Sequence, residues 1–588
     1  MSVTTRTHSV FCFAFCLALG ACGGGGSSDG EGGPGAESPE PVAQEGAPTV
    51  TVDSTLRHVR LSWNVQEGDD YYVVSENPDG VSGFTEIATI EEGTEYSFDV
   101  SAHLHDWNNA AYIVEACDVN NECVPSLEVS TLDAMLTAIG YFKASNPDLE
   151  DEFGQAVAIS DDGRTIAVGA HNEGSGIGGE TPDQADNSVV SAGAVYIFTL
   201  TESGWEQSAY IKASDIASDD DFGHSVALNG NGDTLAVGGA WEENRLLGDQ
   251  HDTGAVYVFA RDDAGNWTEQ GYLHASTLTT KMHFGVSVSL SDDGNLLAVG
   301  APGEGGVATE GVEGGGSTSV SGAAYIFTRT DGVWAETAAI ASSNLEANDL
   351  FGFDLAISGD GTTLAVGALQ ESSAATGVNG DQADNSAPYA GAVYVFAPGE
   401  SGWVQQAYLK ASNAQANAHF GFALTISDDG NVLAVGAKDD SEEAGAVHMY
   451  ARTAGVWAHQ AHLTSSNTQA GDRFGVDLAL SDDGKVLAVG ASWEDSTAVG
   501  AGGNENINTA PNSGAVYMFA QDASGWAQTA YVKANNTQDQ SHFGHSVALD
   551  ATGDMLAVGA TWENGSSSGV SGDQSAQAAE NSGAVYIY

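Results

Sequence analysis

The side chains of this chain best suited to chemistry are closely spaced oxygen donors and a few isolated tryptophans. Asp183-Gln184-Ala185-Asp186-Asn187 recurs as Asp381-Gln382-Ala383-Asp384-Asn385, and in shorter form as Asp249-Gln250-His251-Asp252. Carboxylates at this spacing offer the hard oxygen ligands that a divalent cation takes, and they equally close Asx turns on their own backbone. Recurrence in several places favours the turn, and the metal reading stays open. Trp241, Trp493 and Trp562 are each followed by a glutamate. An indole face beside a polar group can stack on a sugar ring, so these three are the candidate ligand-binding residues. No His-Glu-x-x-His helix or phosphate loop occurs, and the 15 histidines are scattered. No catalytic residue is assigned, and the chain is expected not to be an enzyme.

Charge narrows the partners. The 588 residues carry 16 Lys+Arg against 81 Asp+Glu, a net charge of −65. Binding to phosphate backbones needs clustered cations, so a nucleic-acid ligand is excluded, and docking on anionic lipid is disfavoured for the same reason. The acidity fits either a solvated surface in a salty medium or the binding of cations.

Several elements must position these side chains. Arg6 precedes an apolar run, Val10–Leu19, too short to span a bilayer and typical of a signal segment. It ends in Leu19-Gly20-Ala21-Cys22, which resembles a bacterial lipobox. That resemblance implies a signal peptide over residues 1–22, lipidation of Cys22 and, with Gly23 next, export to the outer membrane, facing the surface or the periplasm. Residues 23–47 are Gly, Ser, Glu and Pro, a tether with a reach of roughly 25–30 Å.

Residues 48–132 read as short strands: Thr49–Val52, Val59–Trp63, Tyr71–Val74 and Tyr112–Ala116. A tryptophan on an early strand and a tyrosine on a late one resemble the fibronectin type III β-sandwich. Cys117 and Cys123 bracket the turn Asp118–Glu122, and a local disulfide is expected in an exported protein.

Residues 133–588 are periodic. Phe-Gly recurs at Phe153, Phe222, Phe284, Phe351, Phe420, Phe474 and Phe543, each time followed by a Gly-Ala and a Gly-Ala-Val-Tyr-like strand. Each unit holds four strand-like runs, with Asp-Asp-Gly hairpins at 161–163, 292–294, 428–430 and 482–484. The last unit stops at Tyr588 on its third strand, and the missing fourth matches Ile139–Ser145 ahead of the first unit, with Leu136 at the place of a recurrent tryptophan. A ring has reason to displace a strand in this way, because its ends then share one sheet. The expected fold class is all-β: a seven-bladed β-propeller, closed by strand 139–145, after a small β-sandwich. The recurrent Trp205, Trp267, Trp334, Trp403, Trp457 and Trp526 read as packing between blades.

The units resemble bacterial FG-GAP repeats of the integrin α-subunit propeller, as Phe351-Gly352, Ala365-Val366-Gly367-Ala368 and Gly391-Ala392-Val393-Tyr394 illustrate. The period is longer than that of WD40 repeats, and kelch di-glycines are missing. Calcium-binding members of that family carry Asp-x-Asp-x-Asp-Gly between the first two strands. Here the loop is only Ser-Asp-Asp-Gly or Asn-Gly-Asn-Gly, too short for six oxygens. Calcium is thus the one cofactor in question, with Asp183, Asp186, Asp249, Asp252, Asp381 and Asp384 as its candidate ligands. The variable loops between second and third strands are where binding is expected, and the fifth, Lys438–Ala444, is short enough to notch the rim. The reading is a monomeric, lipid-anchored adhesion protein for a protein or polysaccharide ligand. A propeller-based glycan-active enzyme and a passive envelope spacer are the alternatives.

Overall fold

The computed structural model describes residues 43–55, 58–65, 68–100, 109–176, 184–243, 252–305, 321–344, 346–400 and 402–588. The lipidation candidate Cys22 and the candidate ligands Asp183 and Asp249 lie outside them. The chain divides into two units, residues 1–43 and 44–588, and the second contains both the sandwich-like region and the repeats.

Each repeat unit builds an antiparallel sheet on a four-strand path, numbered here 1 to 7 in chain order; sheets 4 and 6 add a short fifth strand, and sheet 7 takes its fourth strand from ahead of the first unit. Sheet 1 comprises Val157–Ile159, Thr165–Ala170, Ala194–Thr201 and Gly204–Ile211. The second and third strands of each unit are apolar on both faces; in sheet 1 every residue of Thr165–Ala170 is buried. Such strands need cover on both sides, and neighbouring sheets supply it. The apolar clusters accordingly lie between consecutive sheets. One joins Val195 and Ile197 to Phe222, Leu235 and Tyr257, and another joins Val585 and Ile587 of sheet 7 to Val168 and Tyr196 of sheet 1. The molecule is a β-propeller. Gly140–Phe142 pairs antiparallel with the final strand Ala584–Ile587, so the displaced strand is found in place, shorter than the seven residues expected.

The glycine marks occur where consecutive sheets touch through backbone. Phe153 N–H donates to the Ser582 carbonyl of sheet 7 at 3.0 Å, while Gly154 N–H donates to the Gly169 carbonyl of its own sheet at 3.0 Å. A Cβ on Gly583, at φ 78°, would overlap the Phe153 carbonyl, and one on Gly169 would overlap that of Gly223. The Phe side chains are fully buried and meet the strand-three aromatics edge-on, as Phe153 does Tyr196 at 5.4 Å. The motif is therefore a junction: an anchoring ring plus backbones too close for side chains.

Residues 50–130 form two sheets. Val50–Thr55, His58–Trp63 and Glu95–Asp99 make one; Thr85–Ile90, Tyr71–Asn77, Ala111–Cys117 and Cys123–Pro125 are the path of the other, and Val129–Ser130 pairs with Ala111–Cys117. Trp63, Tyr72 and Tyr112 are buried in a common apolar cluster, with Trp63 and Tyr72 ring centres 5.3 Å apart. Cys117 and Cys123 are register partners on paired strands and are joined as a disulfide. One expectation fails. Leu136, placed by sequence matching on the displaced strand, lies instead in the helix Leu132–Ala138, which turns Met135 into the core.

Candidate functional site

Antiparallel sheets ringed in this way give the central channel two different ends. The channel, of about 500 Å³, is lined by the first strands of all units, among them Gln155, Ser225, Ser287, Asp354, Asp477 and Ser546. Asp354 accepts the Ser287 hydroxyl and the Leu424 N–H, each at 2.7 Å, and Asp477 accepts the Val547 N–H at 2.7 Å. These bonds join neighbouring first strands. Burial pushes Asp354 up to about 6 and Asp477 to about 7.

At one end the hairpins between first and second strands meet around the axis. Asp161 N–H donates to Gly230 O, Gly230 to Asp292, Asp292 to Gly359, Asp360 to Asp428, Asp428 to Asp482, Asp482 to Ala551 and Ala551 back to Asp161, all at 2.9–3.2 Å. This is a closed ring of backbone hydrogen bonds. The second aspartate of each Asp-Asp-Gly hairpin is occupied with its own turn: Asp162 Oδ1 accepts Ser160 Oγ at 2.7 Å and Arg164 N–H at 2.9 Å. The first aspartates sit on the ring, where a Cβ at Gly359 would overlap the carboxylates of Asp292 and Asp428. Burial first, then the neighbouring Asp428 and Asp161, push Asp292 up to about 7; burial with Asp161 and Asp428 pushes Asp482 to about 6.

The other end bears the long loops. Each begins with a buried acid four residues after the glycine of Gly-Ala or its equivalent: Glu173, Glu242, Glu304, Glu371, Asp440, Glu494 and Glu563. Four of them pair with buried lysines, Lys212 at 2.9 Å, Lys410 at 2.7 Å, Lys533 at 2.9 Å and Lys143 at 3.0 Å. The same carboxylates accept loop N–H groups, for example Ser175 on Glu173 at 3.1 Å and Gly565 on Glu563 at 2.8 Å. The loop bases are thus fixed by charge-assisted bonds.

Trp241, Trp493 and Trp562 occupy the residue before three of these acids, and the fold brings them to the same end. Arg473 lies 3.5 Å from the Trp493 ring centre, Trp493 stacks on His542 at 6.2 Å, and His542 stacks on Trp562 at 4.1 Å. Trp241 lies between His224, at 4.8 Å, and His283, at 5.4 Å, and His224 meets His171 at 5.9 Å. Trp562 keeps 37% of its surface exposed. Burial holds His224 and His542 down to about 4, so both rings are neutral near pH 7. The residue before each Phe-Gly has left-handed backbone, with φ from 52° to 58° at Glu152, Asp221, His283, Leu350, His419, Arg473 and His542. Two of the rim stack, Arg473 and His542, come from this position. In the sequence the histidines are scattered; the structure gathers His171, His224, His283 and His542 beside the tryptophans. Only His283 and His542 share an offset, directly before Phe-Gly, and for those two it was the available signal.

The recurring acids serve their loops. Asp186 Oδ2 accepts Gly176 N–H at 2.9 Å and Ser188 Oγ at 2.7 Å; Asp384 Oδ2 accepts Ala374 N–H at 2.9 Å and Ser386 Oγ at 3.0 Å. The serine hydroxyl, then the backbone bonds, holds both below the usual carboxylate range. Asp381 Oδ1 accepts Ala383 N–H at 3.0 Å, and the Asp252 carbonyl accepts His283 N–H at 3.2 Å. Among the described residues one group brings three metal-type donors together, and it includes none of these: Asp440, His448 and His462, with donor atoms within 4.8 Å of one another.

The FG-GAP repeat family pattern matches residues 205–259, 267–327, 334–396, 403–450 and 457–519. Among solved structures, the WD40 repeats of RRP9 are similar at 9% identity, over 76% of this chain and 96% of that one, with a TM-score of 0.41. An oligogalacturonate lyase in complex with manganese is similar at 8% identity, over 76% and 94%, with a TM-score of 0.37. The β-propeller domain of the Trilobed protease from Pyrococcus furiosus, with an open velcro topology, is similar at 9% identity, over 82% and 98%, with a TM-score of 0.32. Likenesses this distant say nothing of activity or ligand. No curated protein matches the chain.

Proposed function

We propose that this FG-GAP β-propeller is a non-catalytic surface protein that binds a polysaccharide or protein ligand through the loop-bearing end of its channel. The observation that carries the reading is the rim stack Arg473–Trp493–His542–Trp562, which ends in an indole with 37% of its surface exposed. Flat aromatic faces on fixed loop bases are suited to sugar rings and to the aromatic anchors of protein interfaces. The finer architecture belongs to the same proposal. A seven-bladed ring is supported by the pairing of Gly140–Phe142 with Ala584–Ile587 and by the Phe153–Gly583 bridge between last and first units. A fibronectin type III-like sandwich is supported by the two sheets around Trp63, Tyr72 and Tyr112. Lipidation of Cys22 at the outer membrane rests on the lipobox-like tetrapeptide alone.

A glycan and protein array probed with the full chain tests the binding reading. Binding that weakens in Trp562→Ala is the expected result. No binding to any arrayed ligand would overturn it, and hydrolysis of an arrayed glycan would replace it with an enzyme.

A further inference from the structure

Sheet 5 alone carries a histidine pair at one set of aligned positions. In sheets 1, 4, 6 and 7 the third strand contributes a tyrosine, its register partner on the fourth strand is a second tyrosine, and the loop acid sits against both. In sheet 1 these are Tyr196, Tyr210 and Glu173; in sheet 4, Tyr394, Tyr408 and Glu371. A lysine two residues beyond the second tyrosine neutralises the acid. Sheet 5 replaces the tyrosine pair with His448 and His462, which are register partners, and the acid with Asp440. Thr464 stands where the lysine would be. A third histidine, His459, stands where sheets 1, 4 and 6 carry a glutamine, Gln207, Gln405 and Gln528.

Asp440 is a buried anion without a lysine, as Glu242 and Glu304 also are, but those two accept tyrosine hydroxyls, from Tyr257 and Tyr272 and from Tyr325, where Asp440 faces two imidazoles. Asp440 is 1% exposed; its carboxylate accepts the Asn413 amide at 2.7 Å and the Ser441 hydroxyl at 3.0 Å, and His462 Nε2 lies 3.9 Å away. Among the described residues no ammonium or guanidinium pairs with it. A buried carboxylate is costly unless a positive charge and further hydrogen bonds compensate it. His448 is fully buried, and its Nε2 has no hydrogen-bond partner, an unpaired polar atom at the same place.

We infer that Asp440, His448 and His462 form a site for one divalent cation of the zinc class. Two imidazoles and one carboxylate are the ligand set of open, three-ligand zinc and related first-row sites; calcium, which takes oxygen ligands, is excluded by the donors themselves. The donor atoms lie within 4.8 Å of one another, while tetrahedral bonds of 2.0–2.1 Å need about 3.3 Å between donors. The His462 side chain is 38% exposed and can rotate to close that gap. His448 Nδ1 lies 3.4 Å from His459 Nε2, which gives the buried ring an outer partner to orient it. The loop over this sheet is the short one, Lys438–Ala444, and its Ser441, Glu442 and Glu443 are exposed, leaving a lip through which a hydrated cation can arrive.

The test is zinc content and thermal stability of the untagged full chain, wild type against His448→Tyr with His462→Tyr. That double substitution restores the tyrosine pair of sheets 1, 4, 6 and 7, so the fold has a tested solution for it. Expected after dialysis against zinc chloride is about one EDTA-removable zinc per chain in wild type, a visible absorption band when cobalt replaces it, and a rise in Tm on adding zinc. In the variant all three should be lost, with affinity lower by about a hundred-fold or more. Equal zinc in both proteins, or no zinc in wild type, overturns the site. Should the double variant fail to fold, His462→Gln on the exposed ring makes the same comparison.

Discussion

The two ends of the channel are built from opposite materials. At the hairpin end a ring of backbone bonds joins the repeat units: seven N–H to carbonyl bonds run around the axis through Asp161, Gly230, Asp292, Gly359–Asp360, Asp428, Asp482 and Ala551, with a few side-chain bonds such as Asn229 Nδ2 to the Asp292 carbonyl beside it. At the loop end the loops are held by side chains, a buried acid under each, four of them with a buried lysine. Backbone contacts tolerate any side chain that fits, so the hairpin end stays short and repetitive. Side-chain anchors at a loop's base leave its middle unconstrained, so the loop end varies in length and carries the tryptophans. The difference separates closing a ring from presenting a surface.

The largest expected effect breaks an anchor at the loop end. Lys533→Met removes an ammonium with no exposed surface and leaves Glu494 and the Ser513 hydroxyl without it. An uncompensated buried carboxylate costs about 3–5 kcal/mol, read as a lower urea midpoint. The counterpart at the hairpin end is Lys485→Met. That lysine pairs with Asp483 at 2.6 Å, but with 60% and 56% of the side chains exposed, so the loss should stay below about 1 kcal/mol. Equal losses in the two variants would erase the distinction between the ends.

Much of the scaffold was readable in the sequence because it depends on glycine. Gly169, Gly223 and Gly583 stand where backbones approach too closely for any Cβ, and that demand repeats at a readable period. The displaced strand was readable because Gly140–Phe142 repeats the fourth-strand sequence of other units. Leu136 was misplaced by the same matching, since helical pairing of Leu132–Ala138 with its surroundings leaves no mark in the repeat. The Asp-Asp-Gly hairpins were readable as turns and not as a ring. Each turn satisfies itself through Ser160 and Asp162 or their equivalents, and only the closed circle brings Asp292 against Asp428. The rim tryptophans were singled out, while their histidine partners were not, because His224 and Trp241 or His542 and Trp562 meet only once the chain is folded.

A smaller effect sharpens the hairpin end. Asp292 has its folded-state value raised to about 7 from 3.8, chiefly by burial. Between those values the folded chain holds a proton that the unfolded chain releases. The group's stabilising contribution is therefore full below about pH 4 and is lost as pH rises through 7. Asp292→Asn should be more stable than wild type at pH 8, by about 1–2 kcal/mol after discounting for its partial exposure, and should flatten the decline between pH 4 and 7. Urea midpoints of both proteins across that range decide it. A variant less stable at pH 8 would mean that the ionised carboxylate holds the ring together.

The last effect is on binding. Trp562 is 37% exposed and stacks on His542, so Trp562→Ala gives up an aromatic pair worth about 0.5–1.5 kcal/mol beyond the ring's buried area. The buried acid beneath it, Glu563, keeps Lys143 and the Gly565 N–H, so the loop base stays in place. Array binding should fall in this variant and in Trp493→Ala, while Lys485→Met at the opposite end leaves it unchanged. Loss of binding in Lys485→Met with retention in Trp562→Ala would assign the ligand to the hairpin end. The rim would then be packing, and the long loops would owe their variability to the freedom of their middles alone.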